Sequence, residues 1–317
     1  MSPLVSIVIS THNRAHYLRE AVVSVLQQTY THFELILCDD ASSDETPQVC
    51  QEFQATDPRI RIVRHEKNIG MQANWSSGVA AARGIYFGKL DDDNHYEPTF
   101  LERLVEILET HSEVAFAFTD EWIIDESGKR NLPLTDELSQ YYQRANLPSG
   151  VLVNPQLHAA SQGMGINATL FRLSILREVG GFGNYGATAD CELFLRLTSL
   201  RKSCAYLSER LAEYRIHETS FSTGLKGIRE SEFPVQMWER YSFSDPQAEQ
   251  ARLERLSTSY LMLARAYALE GKLAEARQVL KKITPPLPGV KKAQLFHRIF
   301  SLPEALVRVL IKRKYSV

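Results

Sequence analysis

The sequence predicts a doubly wound α/β domain with a mostly parallel sheet, followed by an all-helical C-terminal extension. Three observations carry this expectation. Short apolar runs alternate with helical patterns through about the first hundred residues. Polar residues gather where those runs end, at Ser10-Thr11-His12-Asn13, Asp39-Asp40 and Asp91-Asp92-Asp93, and such sheets bind ligands at the carboxyl ends of their strands. Near Asp245 the alternation stops and two helical patterns follow.

Leu4–Ser10 (LVSIVIS) is apolar on both faces, as a parallel strand covered on both sides should be. Leu18, Ala21, Val22, Val25 and Leu26 then recur at helical spacing, with Asn13 placed to cap the helix. Phe33–Cys38 reads as a strand, Asp44–Gln54 as a helix, Ile60–His65 as a strand and Met71–Arg83 as a helix. Ile85–Leu90 is a fourth strand, and Pro98–Glu109 a helix with proline in its first turn. Val114–Phe118 and Glu121–Ile124 read as two strands, the second closed by a turn at Glu126-Ser127-Gly128. Asn131–Gln162 has weak periodicity and is expected to be a mobile loop over a site. Phe171–Val179 and Ala189–Leu200 are predicted helices, and Leu211–Ile216 a strand. Arg252–Leu269 and Lys272–Ile283 resemble a single tetratricopeptide-type hairpin, which needs another surface to bury its face. Beyond Thr284–Gly289, Lys291, Lys292, Arg298, Arg308, Lys312, Arg313 and Lys314 sit among apolar residues. They read either as a membrane-surface helix or as a basic helix docked on the main domain.

The chain has 317 residues, 44% hydrophobic and 23% charged, the profile of a globular protein with a full core. Its 36 basic and 38 acidic side chains nearly cancel, so bulk charge gives no reason to expect nucleic-acid binding. Cys38, Cys50, Cys191 and Cys204 lack ligand spacing and read as reduced thiols. The opening MSPLVSIVIS has no basic n-region, and no apolar run approaches the roughly 18 residues of a membrane span. The expected location is cytoplasmic, at most on the inner face of the membrane.

No P-loop is present, no Gly-x-Gly-x-x-Gly follows the first strand, and no Gly-x-Ser-x-Gly elbow occurs. These absences argue against common ATPases, Rossmann dehydrogenases and α/β-hydrolases. What remains is a sheet with acidic strand ends. Mg²⁺ or Mn²⁺ suits one or two carboxylates plus substrate phosphates. Carboxylates one residue apart in extended chain point the same way, so Asp91 and Asp93 can share an ion while Asp92 points elsewhere. The competing account is a capping cluster for the helix near Pro98, although three adjacent carboxylates repel one another without a cation.

The stretch VSIVISTHNRAHYLREAVVSVLQQTYTHFELILCDDASSDET closely resembles the opening of family 2 glycosyltransferases of the GT-A fold. It has the Ser/Thr-aromatic-Asn-Arg/Lys turn, a helix ending Ser-x-x-x-Gln-Thr, and a strand ending Asp-Asp-x-Ser-x-Asp-x-Thr. The resemblance continues through NIGMQANWSSGVAAARGIYFGKLDDDN and resumes at FRLSILREVGGF and ATADCELFLRL, covering roughly residues 4–220. It implies that Ser10, Thr11, His12 and Asn13 border the nucleotide, with His12 where relatives carry Tyr or Phe. It further implies that Asp40 meets the base edge and that Asn68, Gly70 and Asn74 lie near base and ribose. Gln72 and Ala73 stand where relatives often place a basic residue. Asp93 is the implied direct metal ligand, with Asp91 second, and Asp91 or Asp92 nearer the ribose. Asp190 is the implied base, where the family often has Glu-Asp and this chain has Ala189-Asp190; it would also serve as an N-cap. His217, in EYRIHETSFS, resembles a Tyr-Arg-x-His segment that reaches the metal or diphosphate. Trp75, Trp122 and Trp238 are candidate sugar platforms, Trp75 more plausibly a packing residue.

The expectation is an inverting, metal-dependent glycosyltransferase (hexosyltransferase type). It moves a sugar from a nucleotide-sugar donor, UDP-linked, to a saccharide, lipid-linked glycan or protein acceptor. Residues 1–240 form its GT-A domain, with 1–110 the nucleotide-binding half and 111–240 the acceptor-side half; 245–317 form the helical extension. That extension shapes the acceptor side, forms a homodimer or contacts a membrane. Two alternatives are a nucleotidyltransferase, whose Gly-rich basic signature STHNRAHYL lacks, and a catalytically silent binding module, which needs no base at Asp190.

Overall fold

The computed structural model describes residues 2–217, 227–302 and 307. The chain divides into two compact units, Met1–Ser220 and Phe221–Val317. In the first, β1 (Val5–Thr11), α1 (Ala15–Leu26), β2 (Phe33–Asp39), α2 (Thr46–Thr56), β3 (Ile60–Arg64), α3 (Met71–Ala81) and β4 (Tyr86–Asp91) alternate. There follow β5 (His95–Tyr96), α4 (Phe100–Thr110), β6 (Val114–Ile124), α5 (Leu132–Tyr141), β7 (Gly150–Val151) and α6 (Pro155–Ala160). The unit closes with β8 (Thr169–Arg172), α7 (Leu173–Glu178), α8 (Ala189–Ser199) and β9 (Ser203–Arg215). One-turn 3-10 helices at Ile166–Ala168 and Gly186–Thr188 precede β8 and α8.

The described strands form one sheet in the order β3-β2-β1-β4-β8-β6-β9-β5, with β7 on β9. It is parallel from β3 to β4, as expected. Beyond that it is mixed: β8 runs antiparallel to both β4 and β6, while β6 and β9 are parallel. Every residue of β1 and β2 is buried, which is why their sequences show no polar alternation. Ile7 and Ile9 share a core with Leu18 and Val22 of α1 and Leu101 and Leu104 of α4. Val8, pointing the other way, meets α3 at Gly78.

Several sequence expectations change. Asn13 has a left-handed backbone (φ 55°) and does not cap α1; its side chain accepts from the Ser43 backbone N–H at 2.8 Å, securing the loop after β2. Pro98 precedes α4, whose cap position is Thr99, because the Pro98 carbonyl accepts from the Thr29 N–H. That contact continues the work of the Ser-x-x-x-Gln-Thr signature: Gln28 accepts from the Leu101 N–H and donates to the Glu97 carbonyl. The two expected strands in 114–124 are one, with register shifts near Asp120. The expected loop 131–162 carries α5 and α6, each started by an asparagine cap (Asn131, Asn154) and an early proline. The expected helix from Phe171 begins only at Leu173, since Phe171 pairs with both Phe87 and Phe116 in the sheet.

In the second unit, α9 (Ile228–Arg240) and α11 (Leu273–Lys281) pack on α10 (Pro246–Leu269), and α12 (Val290–Ile299) packs on α11. Helix α9 therefore belongs with the extension, which places the boundary earlier than residues 240–245, and it supplies the surface that the α10–α11 hairpin needs. In α12, Ala293 and Phe296 are buried and Lys291 and Lys292 are exposed. Arg308, Lys312, Arg313 and Lys314 lie outside the described residues. Among those described, no helix is long and apolar enough to cross a membrane.

Helix α3 approaches the sheet closely at Gly78, where an added Cβ would stand 2.4 Å from Val8 Cγ1. Gly78→Ala is expected to cost about 1–3 kcal/mol through overpacking, seen as a lower urea midpoint at unchanged slope. A Val8→Ala, Gly78→Ala double variant should recover part of that loss. An unchanged midpoint in the single variant would refute the tight α3–β1 contact.

Candidate active site

Parallel pairing aligns the polar strand ends. Thr11 is opposite Asp39, and Ser10 is opposite Asp91. The Asp40 N–H then donates to the Thr11 carbonyl, carrying the alignment one residue past the sheet.

His12, Asn13, Asp40, Asn68 and Gly70 come together on one side. His12 Nδ1 donates to the Asp40 carbonyl at 2.7 Å, which leaves Nε2 to accept from the Asn13 and Asn68 amides, each at 3.2 Å. The Asp40 carboxylate is buried and fixes the loop ahead of α3: Oδ1 accepts from Ile69 N–H at 2.7 Å and Oδ2 from Gly70 N–H at 2.9 Å. Gly70 has φ 90°, a conformation that favours glycine. Asn74 lies deeper, donating to the Cys38 carbonyl at 2.8 Å. Its buried Oδ1 has no hydrogen-bond partner among the described residues, nor does Ser10 Oγ; the Thr11 side chain hydrogen-bonds Asp92. Unsatisfied buried acceptors and hydroxyls are uncommon in a finished protein, and two at one sheet edge suit a polar ligand.

The three adjacent aspartates have three environments. Asp91 is fully engaged: Lys89 Nζ donates to Oδ1 and Asn167 Nδ2 to Oδ2, the latter at 2.8 Å. Asn167 also accepts from the Asp91 N–H at 2.8 Å, so the residue is held at backbone and side chain. Asp92 is buried, and burial followed by the adjacent Asp93 pushes its carboxyl up to about 7. Asp93 points toward β9. Its Oδ2 accepts from Arg14 Nη1 at 3.0 Å and lies 3.2 Å from His217 Nε2. His217 is itself buried and stacks on Tyr17 with ring centroids 5.3 Å apart. The expected convergence of Asp91 with Asp93 is thus replaced by a convergence of Asp93 with His217, while Asp91 faces Lys89.

Asp190 occupies the first turn of α8, where Thr188 holds the cap position; its Oδ1 accepts from the Cys191 N–H at 2.7 Å. It is half-buried. Burial raises its carboxyl above the ordinary range, Asp91 adds to the rise, and the Cys191 N–H and Lys89 oppose it. Asp190 therefore feels the same charges as the strand-end cluster without bonding to it among the described contacts.

Four contributors escaped the sequence reading. Lys89 is fully buried and lies 4.0 Å over the Trp75 ring, interrupting a strand that otherwise reads as apolar; that interruption was the available signal. Arg14 stood in the quoted turn motif without a role. Arg215 likewise stood in the quoted Tyr-Arg-x-His segment without a role, and Asn167 carried no pattern of its own. Arg215 donates to the Asp93 carbonyl at 2.9 Å and to Glu20 Oε2 at 2.6 Å. The tryptophans offer no free platform. Trp75 and Trp238 are buried, and Trp122 carries the Arg130 and Arg210 guanidiniums, each 4.7 Å from its ring centre. Trp122 does line a cavity of about 570 Å³ with Tyr206, Gln140 and Arg210.

Comparison with known proteins identifies the family and the fold. The family model described as glycosyl transferase family 2 matches residues 6–164, half of the chain. Chondroitin synthase from Escherichia coli is 35% identical over 150 residues, 47% of this chain and 21% of that protein, so the match spans about a fifth of its length. TuaG of Bacillus subtilis (strain 168), named for teichuronic acid biosynthesis, is 28% identical over 245 residues, 76% of this chain and 90% of TuaG. S. aureus TarS 1–349, solved in complex with UDP-GlcNAc, superposes with a TM-score of 0.65 at 14% identity, covering 93% of this chain and 90% of that one. The mannosyltransferase PcManGT from Pyrobaculum calidifontis, solved with GDP-Man and Mn²⁺, gives a TM-score of 0.60 at 14% identity, over 99% and 88% of the two chains. A family match of that extent, lying over the strands whose ends form the cluster, leads to one conclusion: the chain belongs to glycosyl transferase family 2 and is a transferase enzyme of the GT-A fold.

Proposed function

We propose that this enzyme transfers a sugar from a nucleoside diphosphate, UDP in the first instance, to a hydroxyl of a growing saccharide, with inversion at the anomeric carbon. The observation that carries the reading is the meeting of Asp93 Oδ2 and His217 Nε2 around one cationic nitrogen beside the strand ends. One carboxylate and one imidazole, with substrate phosphates and water completing the shell, form a mixed oxygen and nitrogen donor set that suits Mn²⁺ better than Mg²⁺, which favours oxygen ligands. Asp93 and His217 would hold the ion, which when bound offsets negative charge on the departing diphosphate. Support for the donor class comes from the UDP-GlcNAc and GDP-Man complexes of the two structural neighbours. Support for a saccharide acceptor comes from the chondroitin synthase and TuaG names. Lipid-linked and protein acceptors are the other members of the acceptor class.

In this reading His12, Asn13, Asp40 and Asn68 frame the nucleotide, the unsatisfied Ser10 and Asn74 atoms supply further polar contacts, and Thr11 borders the same edge while bonded to Asp92. Asp91, pinned by Lys89 and Asn167, presents a fixed acceptor for a ribose hydroxyl. Asp190 takes the proton of the acceptor hydroxyl as that oxygen attacks the anomeric carbon. The bond from that carbon to the diphosphate oxygen breaks on the opposite face, and the diphosphate leaves with the electron pair. A single displacement of this kind inverts the centre. A carboxylate whose pKa is raised by burial is a stronger base than an ordinary one.

Asp190→Asn should lower kcat by about 10²–10⁴-fold while leaving nucleotide binding nearly intact in calorimetry; retained turnover would refute the base. The sign of the pH dependence follows from the raised pKa. Deprotonated Asp190 is lost as pH falls through a value above the usual carboxylate range, so the acid limb of kcat/KM should lie above that range. A limb at an ordinary aspartate position would count against Asp190. Removing divalent ions with a chelator should abolish transfer, and Mn²⁺ should restore it. Turnover that persists in chelator would retire the metal reading.

A further inference from the structure

Arg14 Nη1 lies 3.0 Å from Asp93 Oδ2 and 3.2 Å from His217 Nε2. One nitrogen of one guanidinium thus touches both groups assigned above to a metal ion. An ordinary surface ion pair would need only the carboxylate and would contribute little. Here the third partner is a buried imidazole. Arginine has donors and no acceptor, so it offers nothing to an imidazolium N–H, and the contact is favourable when Nε2 turns its lone pair to the guanidinium. That is the lone pair a metal ion would use. The imidazole is held in this orientation from behind by its stacking on Tyr17.

We propose that Arg14 is an internal occupant of the divalent-cation position, holding Asp93 and His217 in place until an ion evicts it. The inference rests on the metal reading above. The Arg14 backbone is tied down, its N–H donating to Thr46 Oγ1 at 3.1 Å, so eviction is a side-chain swing at the head of α1. Space for the swing exists. The Arg14 side chain is 28% exposed and borders a groove of about 960 Å³ that is also lined by Tyr17, Asp44 and Glu45. The two carboxylates there give the displaced guanidinium an alternative partner. The ion pays for entry by breaking a charge-assisted contact, so the protein without Arg14 should bind it more tightly.

The test is Mn²⁺ affinity of the full chain without nucleotide, read by the electron paramagnetic resonance signal of free Mn²⁺. Arg14→Ala and Arg14→Gln should each bind Mn²⁺ about tenfold to a hundredfold more tightly than the unmodified protein, the range expected from losing one charge-assisted contact. Arg59→Gln, which removes an equal charge just before the amino end of β3, opposite the strand ends that carry the site, should leave the affinity unchanged. Asp93→Asn should remove the binding in both backgrounds. Equal or weaker Mn²⁺ binding by the Arg14 variants, with Asp93 still required, would overturn the eviction and leave the metal reading standing. An equal gain from Arg59→Gln would overturn it as well, by reducing the effect to net charge. No Mn²⁺ binding to any of the proteins would overturn both readings.

Discussion

The candidate site depends on one buried guanidinium. Arg215 ends β9 and is almost wholly removed from solvent. Its backbone N–H donates to Asn94 Oδ1, its Nε to the Asp93 carbonyl, and its Nη1 to the Glu126 carbonyl. Its Nη2 pairs with Glu20 on α1. A cation buried this deeply is tolerable only because each of its donors finds an acceptor. The same bonds fix the turn that presents Asp93, the end of the strand that leads to His217, and the helix that begins beside Arg14. Three segments from opposite ends of the unit thus meet at fixed distances, although none is adjacent to another in sequence.

A second buried cation organises the other side. Lys89 sits between the Trp75 ring and Asp91, and Asp190 also feels its charge. Against an apolar residue at that position, a lysine costs desolvation, which the ring and the carboxylate offset. The outcome is a division of labour among three consecutive aspartates that share one backbone stretch. One is neutralised by a lysine, one is buried with a raised pKa, and one faces an arginine and a histidine. Identical side chains acquire different chemistry from what lies behind them.

Much of the first half of the sheet was legible in the sequence. The strands β1, β2 and β4 are short, largely apolar runs bounded by turn residues and alternating with helical patterns, and that combination marks strands covered on both faces. Strand β8 was not legible, because its four residues run directly into a helix of the same apolar character. Most of β9 was hidden as well, since the consecutive polar residues Ser208-Glu209-Arg210 interrupt its apolar pattern in mid-strand. At the candidate site, the residues named by local motif lie at the strand ends where their motifs place them. Those whose partners are distant were not legible: Arg14 meets His217 across 203 positions, and no local pattern encodes such a contact. Asn13 shows the limit from the other side, because its residue type predicts a cap equally well for the helix that follows it and for a loop brought to it by the neighbouring strand.

The order of strands carries a consequence for synthesis. Strand β8 lies between β4 and β6, although it is made after both. While the nascent chain lacks it, β6 has no seat beside β4, and the edge of β4 that ends in the three aspartates stays open. Closure then awaits β9, whose pairing with β6 spans about ninety residues and is entropically late. His217 follows two residues after that strand. The ribosome therefore releases β1 to β4 long before the chain contains the histidine that meets Asp93, and a polypeptide arrested anywhere short of that point carries the family's motifs without the Asp93–His217 contact.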